Sequence, residues 1–246
     1  MARTSRRARR SSPLHLPSAF DLYTPSKEII LKNIWIFGPL YAIPLIFSIH
    51  AWIWSPLPRQ SVHLWQHGRG FSVGLTGNPL PTYGTFLVVG FSILWLLIIG
   101  VVGTVVQIMT QAAQLDAAQN RHLDFQNFWS VVKQMGWRLF GLYIVTGLIV
   151  IAGLILLIVP GLIFLRRYFL ASYVMIDKNL SIGDSLKRSA ELSGTNTGAI
   201  WGVLGVMLLI SLINIIPFIG GLISFVVGCL YSIAPAMRYE QLKKLA

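Results

Sequence analysis

The sequence predicts an all-α polytopic membrane protein with six transmembrane helices and two cytoplasmic amphipathic linker helices. Three observations carry that reading. Only 11% of the 246 residues are charged while 54% are hydrophobic, against about a quarter charged in a soluble domain, so a water-facing surface could not be covered. Apolar runs of the roughly 20 residues needed to cross a bilayer recur along the chain. Basic residues gather in the segments between those runs, mostly on one side.

Residues 1–28 read as a basic, largely disordered cytoplasmic arm with a short interfacial helix near its end. Arg3, Arg6, Arg7, Arg9 and Arg10 crowd its first ten positions. Such a run can bind nucleic acid, but here it precedes long apolar segments, so anionic lipid at the cytoplasmic surface is the expected partner and nucleic acid is not. SRRARRSS is superficially like a twin-arginine export signal, yet no apolar core follows it.

Residues 29–246 form the expected transmembrane domain. The first span, 34–54, contains Pro39 and Pro44, which kink a membrane helix without ending it. A Pro- and Gly-rich loop leads to the second span, 84–109. TQAAQLDAAQNRHLDFQNFWSVVKQMG follows at 110–136, where Phe125, Phe128, Trp129 and Val132 recur at helical spacing, as in a helix lying in the interface. Trp137 and Arg138 anchor the third span, 137–159. Pro160-Gly161 is the expected structural turn into the fourth, 162–176. A second polar linker occupies 177–197, where Ser181 or Asp184 can cap a helix whose Ile182, Leu186 and Leu192 face lipid. The fifth and sixth spans, 198–215 and 222–237, reverse about residues 217–221.

With six spans, both termini and both linkers share a side. Sixteen basic residues fall there, against Arg59 and Arg69 opposite. Positive-inside bias therefore puts the termini in the cytoplasm of a plasma-membrane protein.

Few residues carry recognisable chemistry. LLIVPGLIFLRR places Arg166 and Arg167 about 7 to 9 Å past the Pro-Gly turn at 1.5 Å per residue, near the outer margin of the hydrocarbon. Either they snorkel to lipid phosphate, or one faces the bundle and holds an anionic lipid head group. HLWQH at 63–67 has the spacing of two metal ligands but no carboxylate in its loop, and His50 suits an interfacial hydrogen bond. GFSI at 90–93 shares only Gly-x-Ser with intramembrane serine proteases. No HExxH or Walker A motif occurs. Gly198, Gly202 and Gly205, with Gly221 and Gly228, form small-residue stripes for helix packing, within the bundle or against a homodimer or other membrane-protein partner. Cys229 is the sole cysteine, so no intrachain disulfide exists. No cofactor or metal is expected.

LIVPGLIFLRRYFLASYVMIDKNLSIGDSLKRSAELSG, with a late Pro-Ala before Tyr, resembles bacterial integral-membrane proteins related to the membrane domain of glycerophosphoryl diester phosphodiesterase. The features that match are Pro160, Gly161, Arg166 or Arg167, Ser189, Pro235, Ala236 and Tyr239, across about residues 110–242. The resemblance implies a six-helix domain without the soluble catalytic barrel of fused members, so it implies no hydrolase activity. The expected function is that of a non-enzymatic, lipid-associated accessory or scaffold module. Uncoupled movement of a small or anionic substrate, or of lipid, is the alternative.

Overall fold

In the computed structural model, which describes residues 16–53, 82–216 and 219–245, helices follow one another with no strand among the described residues. Five are long and apolar enough to cross a membrane, or six if one bent pair counts as a single span. That pair opens the fold. A 3-10 turn at Phe20–Leu22 leads into α1 (Tyr23–Lys32), and α2 (Ile34–Ile53) departs after a bend of 97°. Asn33 sits at the bend, and its side-chain amide donates to the Ile29 carbonyl at 2.9 Å, closing α1. Leu22, Ser26 and Ile30 share one helical face and are buried. Ser26 Oγ also donates to the Leu230 carbonyl at 2.7 Å. Residues 20–28, the end of the arm where a short interfacial helix was expected, are helical and pack on the bundle; residues 1–15 lie outside the described residues.

The next two helices overrun the expected spans. α3 (Thr82–Ala118) and α4 (Phe125–Leu156) are 37 and 32 residues long, or about 55 and 48 Å, well beyond the roughly 30 Å of hydrocarbon. The first linker at 110–136 is therefore not a separate interfacial helix. Its first part prolongs α3, and its second part is the start of α4. Between them Asn120 takes a left-handed φ of 53°, a conformation Asn tolerates, and Asp124 caps α4 by accepting from the Gln126 amide at 3.0 Å.

α4 reverses into α5 (Ile158–Tyr168) at Leu157, the one extended residue between them. Pro160 and Gly161 lie inside the first turn of α5 rather than forming the turn. Proline is tolerated there because a first-turn amide has no intrahelical partner to lose. Gly161 serves close approach: a Cβ on it would lie 2.5 Å from Leu154 Cγ, and one on Gly153 would lie 2.9 Å from the Gly161 Cα. The hairpin is closed by two facing glycines.

After α6 (Ala171–Lys178) the chain turns through Asn179, at φ 50°. Arg138 of α4 fastens that turn, donating to Asn179 Oδ1 at 2.9 Å and to the Leu180 carbonyl. α7 (Ile182–Thr195) begins at Ser181, whose Oγ accepts from the Asp184 amide at 3.2 Å. Its apolar face was expected to meet lipid. Instead Leu192 is buried against Leu170 and Tyr173, while Ile182 and Leu186 pack on Met135, Leu139 and Met175. The reason is the stripe Ser185, Ser189, Ser193, one residue per turn, all buried, whose small side chains let α7 lie close to its neighbours. α8 (Thr197–Leu212), α9 (Gly220–Tyr231) and α10 (Ala234–Lys243) complete the chain.

Candidate functional site

Polar residues inside an apolar bundle must find partners or line a cavity, because unsatisfied groups are costly there. On α3, Gln107, Thr110, Gln111 and Gln114 stand at positions i, i+3, i+4 and i+7, hence on one face. That face borders a cavity of about 540 Å³. Tyr41 of α2, Tyr143 and Thr146 of α4, Tyr168 of α5, Tyr173 of α6 and Tyr231 of α9 contribute from the other walls. No charged side chain lines it among the described residues. Gln107, Leu165 and Met207 border it and are exposed, so it reaches the surface of the bundle.

The lining is organised by hydrogen bonds between neutral groups. Tyr143 Oη donates to Gln111 Oε1 at 2.7 Å, and Tyr173 Oη donates to Gln114 Oε1 at 2.8 Å. Gln114 Nε2 reaches Tyr41 Oη at 3.4 Å, and that hydroxyl also pairs with Ser232 Oγ. Both glutamines therefore have their carbonyl oxygens occupied and their orientation fixed. Thr146 Oγ1 is buried with no hydrogen-bond partner, which leaves one hydroxyl at the cavity unmatched by protein. Such an arrangement can hold hydroxyls, ethers, esters or amides in position. It has no group suited to neutralising a charge.

One wall continues into a charged cluster at the helix ends. The rings of Tyr173 and Tyr239 stack at 6.5 Å. Tyr239 Oη donates to Asp177 Oδ2 at 2.8 Å, Lys243 pairs with the same oxygen at 2.7 Å, and Gln119 donates to Oδ1 at 3.0 Å. Asp177 is 4% exposed. These contacts lock the ends of α3, α6 and α10 together beneath the cavity.

The sequence did not single out this glutamine face, because the segment was divided between a span ending at 109 and a linker starting at 110. The signal was the four-position polar stripe, legible only if one helix runs through both. Of the residues that were singled out, Arg166 and Arg167 occupy the last turn of α5, about 13 Å from Leu157 rather than just past the hairpin. Arg166 donates to Thr197 Oγ1 at 2.6 Å. The Arg167 carbonyl, freed at the helix end, accepts from Ser189 Oγ at 2.7 Å and Ser193 Oγ at 3.3 Å. Their surroundings are α7 and the start of α8.

Within the glycine stripes, a Cβ on Gly202 would meet Ala19 at 3.1 Å, and ones on Gly221 and Gly228 would make ordinary contacts at 3.7 Å. Gly198 and Gly205 have nothing within 4 Å. Asn214 donates to Ser224 Oγ at 2.8 Å across the α8–α9 reversal. The HLWQH histidines, Arg59 and Arg69 lie outside the described residues, as do the side chains of His50 and Ser92. Among the described residues no three His, Cys, Asp or Glu side chains converge as a metal set. No family model matches the chain, and neither does any curated protein or solved structure.

Proposed function

We propose that this chain is a non-enzymatic multi-pass protein of the plasma membrane that holds an uncharged polar or amphipathic molecule in its central cavity, as a lipid-associated accessory module. In this reading it crosses the membrane six times, counting α1 and α2 together as the first span, with both termini cytoplasmic. α7 is then a cytoplasmic linker helix packed under the bundle. The basic bias of the termini and linkers supports the orientation, and the resemblance to the phosphodiesterase-associated membrane domain agrees with an architecture that brings no activity of its own.

The single observation that carries the proposal is the neutral hydrogen-bonding face of Gln107, Thr110, Gln111 and Gln114 inside a cavity of about 540 Å³. Binding sites of a few hundred cubic ångströms with a few oriented polar groups are the usual form of small-ligand sites. General acid–base catalysis usually pairs a His, Asp, Glu, Lys or Cys with its partner, and coupled transport usually places a carboxylate at mid-membrane; among the described residues the lining holds tyrosines but none of these.

The experiment is lipid and solute identification by mass spectrometry on protein purified in mild detergent. Gly147 lines the cavity, and a Cβ there would meet nothing within 4 Å, so Gly147→Leu adds side-chain volume at the wall without a Cβ clash. The wild type should retain a molecule that Gly147→Leu lacks; identical retained molecules in both would overturn the reading. A second reading, movement of the bound molecule across the bilayer, is favoured by the exposed border at Gln107, Leu165 and Met207. Reconstitution in liposomes separates the two, since only movement gives flux or scrambling that Gly147→Leu abolishes. Orientation is tested by cysteine labelling of intact cells: Ser72→Cys should react from outside and Ser12→Cys should not.

A further inference from the structure

A second cavity, about 570 Å³ and sharing no lining residue with the first, lies where the earliest described residues cross the start of α8. Pro17 and Ser18 form one wall, Asn196, Thr197 and Gly198 another, and Arg238 of α10 a third. Arg238 is 1% exposed. Its guanidinium donates to the Pro17 carbonyl at 3.0 Å and to Gln241 Oε1 at 2.9 Å, both neutral acceptors, and its Nε has no partner.

A guanidinium stays protonated even when buried, and a buried charge without a counter-charge is expensive. The described residues do not supply one. All eight Asp and Glu side chains belong to described residues, and none forms an ion pair with Arg238. The nearest along the chain to the Pro17 wall, Asp21, is held by the Ser18 amide at 2.9 Å. The fifteen residues before Leu16 contain five arginines and no acid, so they add positive charge only.

Two further features of the same place favour an anion. α8 starts without a side-chain cap from Asn196; the Ala199 amide donates to the Asn196 carbonyl at 3.2 Å, which leaves the first-turn amides of Thr197 and Gly198 beside the cavity. Arg166, through its bond to Thr197 Oγ1, brings a second guanidinium to that helix start, and its Nε too is buried without a partner. We propose that this cavity binds a phosphate group, with Arg238 as the buried counter-charge, the α8 start as a hydrogen-bond cradle, and Arg166 behind the Thr197 wall. The shared chemistry is a phosphate monoester or diester, either free in solution or on a phospholipid head group.

The test uses the full chain in uncharged detergent, with inorganic phosphate and phosphatidylglycerol as separate probes and an uncharged glycolipid as control. Thermal stability and lipid retention by native mass spectrometry are read for wild type, Arg238→Gln and Gly198→Asp. Gly198 belongs to the cavity wall and a Cβ there meets nothing within 4 Å, so Gly198→Asp brings a carboxylate to that wall without a Cβ clash. That variant keeps the test independent of any folding defect in Arg238→Gln. The expected result is that a phosphate-bearing probe raises the melting temperature of wild type, and that its affinity falls at least about tenfold in both variants. Gly198→Asp should also melt higher than wild type when no probe is present. A response to inorganic phosphate identifies a soluble ligand, and a response to phosphatidylglycerol alone identifies a lipid head group. The proposal is overturned if neither probe stabilises wild type more than the glycolipid does, or if Gly198→Asp binds the probe as wild type does.

Discussion

Along the single helix α4, two halves built from similar apolar residues behave differently. In the first half Phe128, Met135 and Leu139 are buried, Phe128 in a cluster with α1, α2 and α3, and Met135 and Leu139 in one with α3, α6 and α7. In the second half Leu148, Ile151, Ile155 and Leu156 are exposed, continuing around the hairpin through Leu157, Ile158 and Val159. The same contrast divides the molecule. The four clusters of buried residues draw on Leu22, Leu115, Phe128, Leu139, Tyr173, Leu192 and Tyr239, whereas the two helical hairpins end in bare apolar tips. At the packed end side chains are removed from water and gain the hydrophobic term. At the tips lipid tails are as apolar as leucine, so burial against protein gains little and only close van der Waals fit holds the helices.

The most damaging test of that contrast is Leu139→Ala, at the fully packed site. It should lower unfolding free energy by about 3 kcal/mol, measured by denaturant titration in micelles. Asp177→Asn comes next, because it weakens the pair with Lys243 and the bonds from Tyr239 and Gln119 at a nearly buried carboxylate. A loss of about 2 kcal/mol is expected, with faster hydrogen exchange at the ends of α3, α6 and α10. Gly161→Ala probes the tip, where fit alone matters; its Cβ would strike Leu154, and a loss of about 1 to 2 kcal/mol should follow. The smallest effect belongs to Leu148→Ala, which should change stability by less than about 0.5 kcal/mol. Equal losses for Leu139→Ala and Leu148→Ala would erase the distinction between the two halves.

Much of the fold could be read directly. Apolar run length marked the helices, and Ser181 before the sequence IGDSL marked the α7 cap. The site was harder, because hydropathy averages over a window. Gln107, Thr110, Gln111 and Gln114 depress it just enough to suggest a span end at 109, although glutamine is a good helix former and the helix continues. Pro160-Gly161 misled for a related reason: the pair is common in turns, yet Pro also suits a first helical turn and Gly a close crossing. Arg238 gave no signal at all, since a lone arginine near a C-terminus looks like a solvated helix end.

What the sequence determined by itself was the class: an apolar, charge-poor chain with long helical runs fits a membrane protein whatever its tertiary arrangement. Which helices run on past the length a bilayer needs, which glutamines meet across a cavity, and which arginine is left buried without a counter-charge were decided only by tertiary structure. The physical reason is that hydropathy is a property of each segment. Hydrogen-bond satisfaction and charge pairing belong to residues far apart in the chain, such as Gln114 with Tyr41 and Arg238 with Pro17, and nothing in either segment names its partner.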